Sequence, residues 1–196
     1  MSRITLVFLS ILVFLVVPRF LIAGKPSLDS LVRSDLLRLD AEDQIFYDSM
    51  QKGVVIDSIL TYAEELLGTP YRFKNRRRNK PGALNCSQFI LRVFGKYGYE
   101  LPTTSLTQSE MGEEIPLTEI QRGDLLFFSG RSLRNRRIGH VALVLDVRDG
   151  VLKMIHASRR GVVIDDFNAS VFYQKRFVKA CRLDLQSPNE SLVDSR

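Results

Sequence analysis

The sequence predicts an α+β fold in which helices come first and pack on an antiparallel sheet. Three observations predict it. Apolar residues recur at helical spacing between residues 54 and 97. After Gly123 the pattern changes to five short strand-like runs. Turn signals between consecutive runs favour hairpins over crossover connections.

The elements follow in chain order. Residues 1–24 carry one early arginine and then a nearly unbroken apolar run over 4–17, which reads as a signal peptide or a membrane anchor. Residues 25–53 are a polar lead-in or spacer, with Leu31, Leu36, Leu39 and Ile45 loosely on one helical side. The domain proper is expected over 54–183 and a flexible tail over 184–196. In IDSILTYAEELLG the apolar residues form one helical face, and Gly68 suits the helix end. A second helix should start at Cys86, with Phe89, Ile90, Val93, Phe94 and Tyr97 on one face and Gly98 at its end. SLTQSEMGEEI is a short helix candidate. Strands are expected over 124–129, 140–147, 152–157, 162–167 and 176–183, with turns at Asp149–Gly150 and around Gly161.

The net charge of +6 is uneven. RFKNRRRNK (72–80) carries six basic groups and RSLRNRR (131–137) four, with no acid in either. Without them 18 basic residues face 22 acidic ones, so two loops hold the whole positive excess. Such runs are commonly solvated; near one cleft they favour anionic ligands. The apolar leader and the lack of aromatic residues interleaved in the runs, Phe73 apart, argue against nucleic acid.

The chain has two cysteines and two histidines. Cys86 points to the core side of its helix, where the helix dipole lowers a thiol pKa and a neighbouring imidazole lowers it further. Pairing of Cys86 with Cys181 stays open, as does an inert structural thiol. Nothing has the short ligand spacing of a metal motif, so neither metal nor cofactor is expected. His140 and His156 flank the Asp149–Gly150 turn. A simple two-residue turn sets His140 opposite Arg159 and His156 opposite Leu143, which puts the histidines on opposite faces. One bulged residue puts them on the same face. Cys86, His140 and His156 could then serve as nucleophile, base and orienter of the base.

The words GTPYRF, NCSQFI, LPTTSLTQ, RGDLLFFS, IGHVALVL and MIHAS occur in that order. Over roughly residues 54–183 the chain resembles the NlpC family of bacterial cell-wall cysteine peptidases. The resemblance implies a papain-like fold, with a catalytic cysteine at a helix N-terminus facing histidines on strands. It implies a Cys86–His140–His156 triad and favours the bulged turn. It places Tyr71 and Ser87 on the substrate side and makes Asp124 structural. It also implies an exported enzyme of the periplasm or cell envelope, secreted or anchored by its leader. That enzyme would act on peptidoglycan stem peptides, often between D-glutamate and a diamino acid.

Three features depart from the family pattern. Asn85 stands where Asp is usual, so recognition of a free substrate amine loses its charge. Gln88 replaces a glycine and brings an amide towards the substrate side. KNRRRNKPGAL replaces a Gly-Gly pair, and both basic loops then offer contacts to an anionic envelope polymer. Two other readings compete: an acyltransferase or amidase using the same cysteine, separable by product analysis, and a non-enzymatic wall-binding or scaffold protein with a disabled site, separable by thiol reactivity.

Overall fold

The computed structural model describes residues 28–73, 80–130 and 132–185, with side chains from residue 43 onward. The expected leader at 1–24, the centre of the first basic run at 74–79 and residues 186–196 of the expected tail lie outside the described residues. No helix among the described residues is long and apolar enough to cross a membrane.

The chain divides into two compact units, Met1–Asp48 and Ser49–Arg196. Of the first, the described part is the leading stretch of helix α1 (Leu28–Glu65). This helix runs unbroken through residues 53 and 54, where the sequence pattern changes. In the second unit α1 buries Ile59, Leu60 and Ala63, all on the predicted face. Gly68 takes a positive φ of 78° beyond the helix and donates its N–H to the Val162 carbonyl at 2.9 Å.

Helix α2 (Cys86–Gly95) begins where the sequence reading put it. Asn85 caps it: its Oδ1 accepts the Gln88 N–H at 2.9 Å, and Gln88 Oε1 accepts the Asn85 N–H at 3.2 Å. Phe89, Ile90, Val93 and Phe94 are wholly buried. Burial of each contributes about 1.5–3 kcal/mol, which ties α2 to the sheet. The helix ends at Gly95, three residues before the expected Gly98.

The single helix expected over SLTQSEMGEEI is two elements instead. Helix α3 (Ser105–Gln108) is one turn long, and β1 (Glu113–Ile115) follows it. The cause is Gly112, at φ +76°, where an added Cβ would lie 2.1 Å from the Arg182 carbonyl oxygen. Only glycine fits so close an approach, and it turns the chain onto the sheet edge.

The remaining elements are β2 (Leu125–Ser129), β3 (Ile138–Arg148), β4 (Val151–Ser158), β5 (Gly161–Asp166), helix α4 (Val171–Arg176) and β6 (Phe177–Arg182). They form a six-stranded antiparallel sheet in the order β1-β6-β2-β3-β4-β5. One face carries Phe127, Val141, Leu143, Ile155 and Ala157, which pack with Ile59 of α1 and with α2. The other carries Leu126, Phe128, Ala142, Val144 and Met154, covered by Phe167 and Tyr173.

Asp124, at the entry to β2, is 1% exposed and fully engaged. Its carboxylate accepts the Gln121 N–H at 2.7 Å and two Arg182 guanidinium bonds at 2.8 and 2.9 Å. That is a structural role, pinning β2 to β6. Asp124→Ala is expected to cost about 2–4 kcal/mol, because it leaves a backbone N–H unpaired and Arg182 with only the Glu119 carbonyl. Urea unfolding measures this, and a loss under 0.5 kcal/mol would contradict it.

Candidate active site

The register of the β3–β4 hairpin decides where the histidines go. Next to the turn the pairs are Arg148↔Val151, Val147↔Leu152 and Asp146↔Lys153, as a two-residue turn requires. Asp149 (φ +52°) and Gly150 (φ +75°) supply the left-handed conformations of that turn. Beyond it the pairing shifts to Val144↔Met154 and Leu143↔Ile155, so Leu145 is a bulge residue. The shift changes the parity and brings His140 and His156 to the same face. A second irregularity, at Gly139, lies beside His140: Phe128 pairs with His140 while Ser129 pairs with Ile138. An added Cβ on Gly139 would lie 2.8 Å from the Gly130 Cα, so this crossing also needs glycine.

The two imidazoles meet edge to face, with His140 Nε2 at 2.9 Å from His156 Nδ1. His156 is wholly buried, and its Nε2 lies 3.0 Å from Asp165 Oδ2. A carboxylate accepts, so His156 carries a proton on Nε2, and in the neutral ring Nδ1 is left as an acceptor. His140 must then donate from Nε2, which leaves its Nδ1 lone pair as the basic site. Asp165 also takes a hydrogen bond from Arg160. Tyr173 of α4 stacks on His140 at 22°, centroids 6.1 Å apart, and meets His156 edge-on.

Cys86 is nearly buried at the start of α2. It meets β3 at the Val141 backbone, one residue past His140. Burial pushes the thiol pKa up, and the backbone N–H groups of Val141, Ser87 and Cys86 pull the other way. The sequence reading expected helix dipole and imidazole to lower this pKa; desolvation outweighs them. His140 is pushed down to about 3, first by burial and then by His156, with Asp165 opposing. His156 is also lowered by burial, against the pull of Asp165. Both shifts favour the uncharged forms, a thiol at Cys86 and a neutral imidazole at His140. Both cysteines are free, and Cys181 contacts the Ser109 carbonyl instead of Cys86.

A cleft of about 700 Å³ opens over His140. Tyr71, Phe73, Phe128, Ser129, Arg159, Arg160, Phe172, Tyr173 and Arg176 line it with backbone of Gly130 and Gly139. Tyr71 is held by a parallel bridge to Leu84, two residues before the thiol. Burial raises the pKa of its phenol and Cys86 raises it further, so Tyr71 sits close to the sulfur. Asn85, Ser87 and Gln88 do not line this cleft. Asn85 and Gln88 are spent on the helix cap, and Ser87 Oγ donates to the Thr103 carbonyl at 2.8 Å. Of the second basic run, Arg136 donates to the Phe177 carbonyl, and the Arg137 carbonyl accepts the Gly130 N–H. No group of acidic, histidine or cysteine side chains suited to a metal ion occurs among the described residues.

Three residues of the site were not anticipated. Strand parity places Asp165 on the histidine face. With Arg159 and Arg160 as a two-residue turn, His156 pairs with Val163, and Asp165 is the next residue on that face. Arg160 follows from the same turn. Tyr173 had no such signal, because α4 is six residues long and buries none of them fully.

The burial of His140 sets a test. Its imidazole should stay neutral between pH 8 and 4.5 when followed by its NMR ring shifts. A midpoint near 6.5 would show that burial does not control it.

The sequence model of the NlpC/P60 family matches residues 68–182. A γ-D-glutamyl-L-lysine dipeptidyl-peptidase of Bacillus subtilis is 33% identical over 117 residues, 60% of this chain and 36% of that protein. The murein DD-endopeptidase MepS/murein LD-carboxypeptidase of Escherichia coli K12 is 27% identical over 154 residues, 78% of this chain and 76% of that protein. This chain thus spans about a third of the first relative and three quarters of the second. Among solved structures, an NLP/P60 family protein of Staphylococcus aureus superposes with a TM-score of 0.54 at 27% identity, covering 66% of this chain and 41% of the other. Its fold and the observed helix-and-sheet arrangement agree with the papain-like expectation. With a family match across more than half its length, the chain belongs to the NlpC/P60 family.

Proposed function

We propose that this chain is a cysteine endopeptidase of peptidoglycan stem peptides, with Cys86 as nucleophile, His140 as base and His156 as orienter. The carrying observation is the hydrogen-bonded line from His140 through His156 to Asp165, with His140 on a strand whose next residue, Val141, offers its backbone to the Cys86 thiol. Such a line fixes one tautomer of His140 and stabilises its cation when it forms.

The chemistry runs as acyl transfer. The Cys86 sulfur attacks the amide carbon while its proton passes to His140. The oxyanion takes hydrogen bonds from N–H groups at the α2 start. The C–N bond breaks, the amine leaves with the proton from His140, and a thioester remains on Cys86. Water, deprotonated by His140, releases the acid and restores the thiol. Asp165 stays ionised: Arg160 and His156 hold its pKa below the usual carboxylate value against the opposing effect of burial.

The bond between D-glutamate and a diamino acid is the proposed target, supported by the name of the B. subtilis relative. The E. coli relative is named for other bonds, so product masses decide between them. The leader at 1–24 would place the enzyme in the cell envelope, secreted or membrane-anchored. The basic loops would hold it near anionic envelope polymer.

Digestion of purified peptidoglycan fragments, read by mass spectrometry, tests this. Cys86→Ala and His140→Ala should each lower kcat/KM by about 10³-fold or more. Asp165→Asn should lower it roughly 10- to 100-fold with KM little changed. Unchanged turnover in Cys86→Ala would remove the proposed mechanism.

A further inference from the structure

We propose that Tyr173 is a positioning residue for the base: its ring fixes the plane of His140, and its hydroxyl steadies Asp165 through Arg160. The proposal rests on the peptidase reading, in which His140 is the base, and adds to it the group that aims that base.

A hydrogen bond fixes a point, and an imidazole that must accept a proton in one direction needs its plane fixed as well. Among the described residues, the His140 ring is hydrogen-bonded through Nε2 alone, 2.9 Å from His156 Nδ1. The torsion between Cβ and such a ring is broad and roughly two-fold. A half-turn about it exchanges ring nitrogens with ring carbons. It would break the bond to His156 and carry the basic Nδ1 to the opposite side. The ring therefore needs a contact on its face.

Tyr173 supplies that contact. Its ring lies 22° from parallel to His140, with centroids 6.1 Å apart. The other rings that meet His140 among the described residues are more steeply inclined, His156 at 82° and Phe128 at 42°. Offset stacking favours one orientation of a ring pair, so Tyr173 opposes rotation of the imidazole. The same ring meets His156 at 84° with centroids 5.2 Å apart, and so bears on both imidazoles.

Tyr173 is itself firmly held. Phe128 of β2 packs edge to face against it at 5.3 Å and Phe172 at 5.1 Å. Its backbone N–H donates to Oγ of Ser170, the cap of α4, at 3.5 Å. Its hydroxyl accepts a hydrogen bond from Arg160, whose guanidinium also bonds Asp165. Burial pushes the Tyr173 phenol up to about 12, so the hydroxyl stays neutral. Arg160 is exposed, and its pairing with Asp165 is weak on its own. The half-buried Tyr173 hydroxyl gives it a second attachment. The contacts close a circuit from Tyr173 through Arg160, Asp165, His156 and His140 back to the tyrosine ring.

The test compares the full chain with Tyr173→Phe, Tyr173→Leu and Tyr173→Met. Phenylalanine keeps the ring and drops the hydroxyl; leucine and methionine drop the ring. With soluble peptidoglycan fragments as substrate, kcat should fall about threefold in Tyr173→Phe and about 30-fold or more in the two aliphatic variants, with KM within about threefold of native. The second readout needs no turnover. Ring-nitrogen NMR shifts at neutral pH are simple to assign, because the chain has two histidines. They should show one tautomer of His140 in the native chain and in Tyr173→Phe, and averaged shifts in the aliphatic variants. Near-UV circular dichroism checks folding, and Tyr173→Met, which fills more of the volume, carries the test where Tyr173→Leu does not fold. A single His140 tautomer kept in a folded aliphatic variant would overturn the clamp. So would a raised KM with native kcat, which would make Tyr173 a wall of the substrate cleft instead. Absence of cleavage by the native chain would end the peptidase reading and leave the ring shifts to decide the clamp. Cleavage by the native chain with unaltered ring shifts in the aliphatic variants does the reverse.

Discussion

The bulge at Leu145 is the constraint on which the site depends. A β-strand alternates its side chains, so one extra residue sends everything beyond it to the other face. The Asp149–Gly150 turn alone would keep His140 and His156 apart. With Leu145 inserted, the two rings reach hydrogen-bonding distance, and Asp165 on β5 falls into line behind them. The glycine crossing at Gly130 and Gly139 then orients the start of β3 so that the thiol meets it at Val141. Backbone register, set by small local features, thus places three side chains from three strands.

The second organising force is burial. His156 has no exposure, yet both of its ring nitrogens have partners, so its burial carries little penalty. The same dryness lowers the basicity of His140 and raises the thiol pKa, which favours the uncharged pair at rest. In the proposed mechanism, charge separates only when substrate arrives and the oxyanion gains its own donors. On the proposed assignment, such a site is protected from idle thiolate chemistry and keeps its base in the neutral form.

Much of this was legible in the residues. Helical spacing located α2 and its buried face, and Cys86 begins it as expected. The five predicted strands appear within about two residues of their expected limits, since each is an apolar run bounded by a turn. Strand parity makes the shared face of the histidines depend on one bulged residue, and the family resemblance favours the bulged turn. Other features could not be read. Nothing in GEEI distinguishes a strand from a helix end; the contact between Gly112 and Arg182, distant in sequence, decides it. Tyr173 sits on a helix too short for periodicity. Asn85 and Gln88 looked like substrate contacts by position, but their side chains close a capping box. That pairing was visible as an Asn followed three residues later by Gln, and the N-cap pattern explains both residues without a ligand.

The central claim is that Cys86 forms a covalent acyl intermediate. Acid-quench mass spectrometry of the full chain during turnover of a γ-D-glutamyl peptide measures it most directly. An added mass equal to the acyl fragment, mapped to Cys86 and released by hydroxylamine, is the expected result. Turnover with no adduct at any quench time, together with activity surviving in Cys86→Ala, would contradict it.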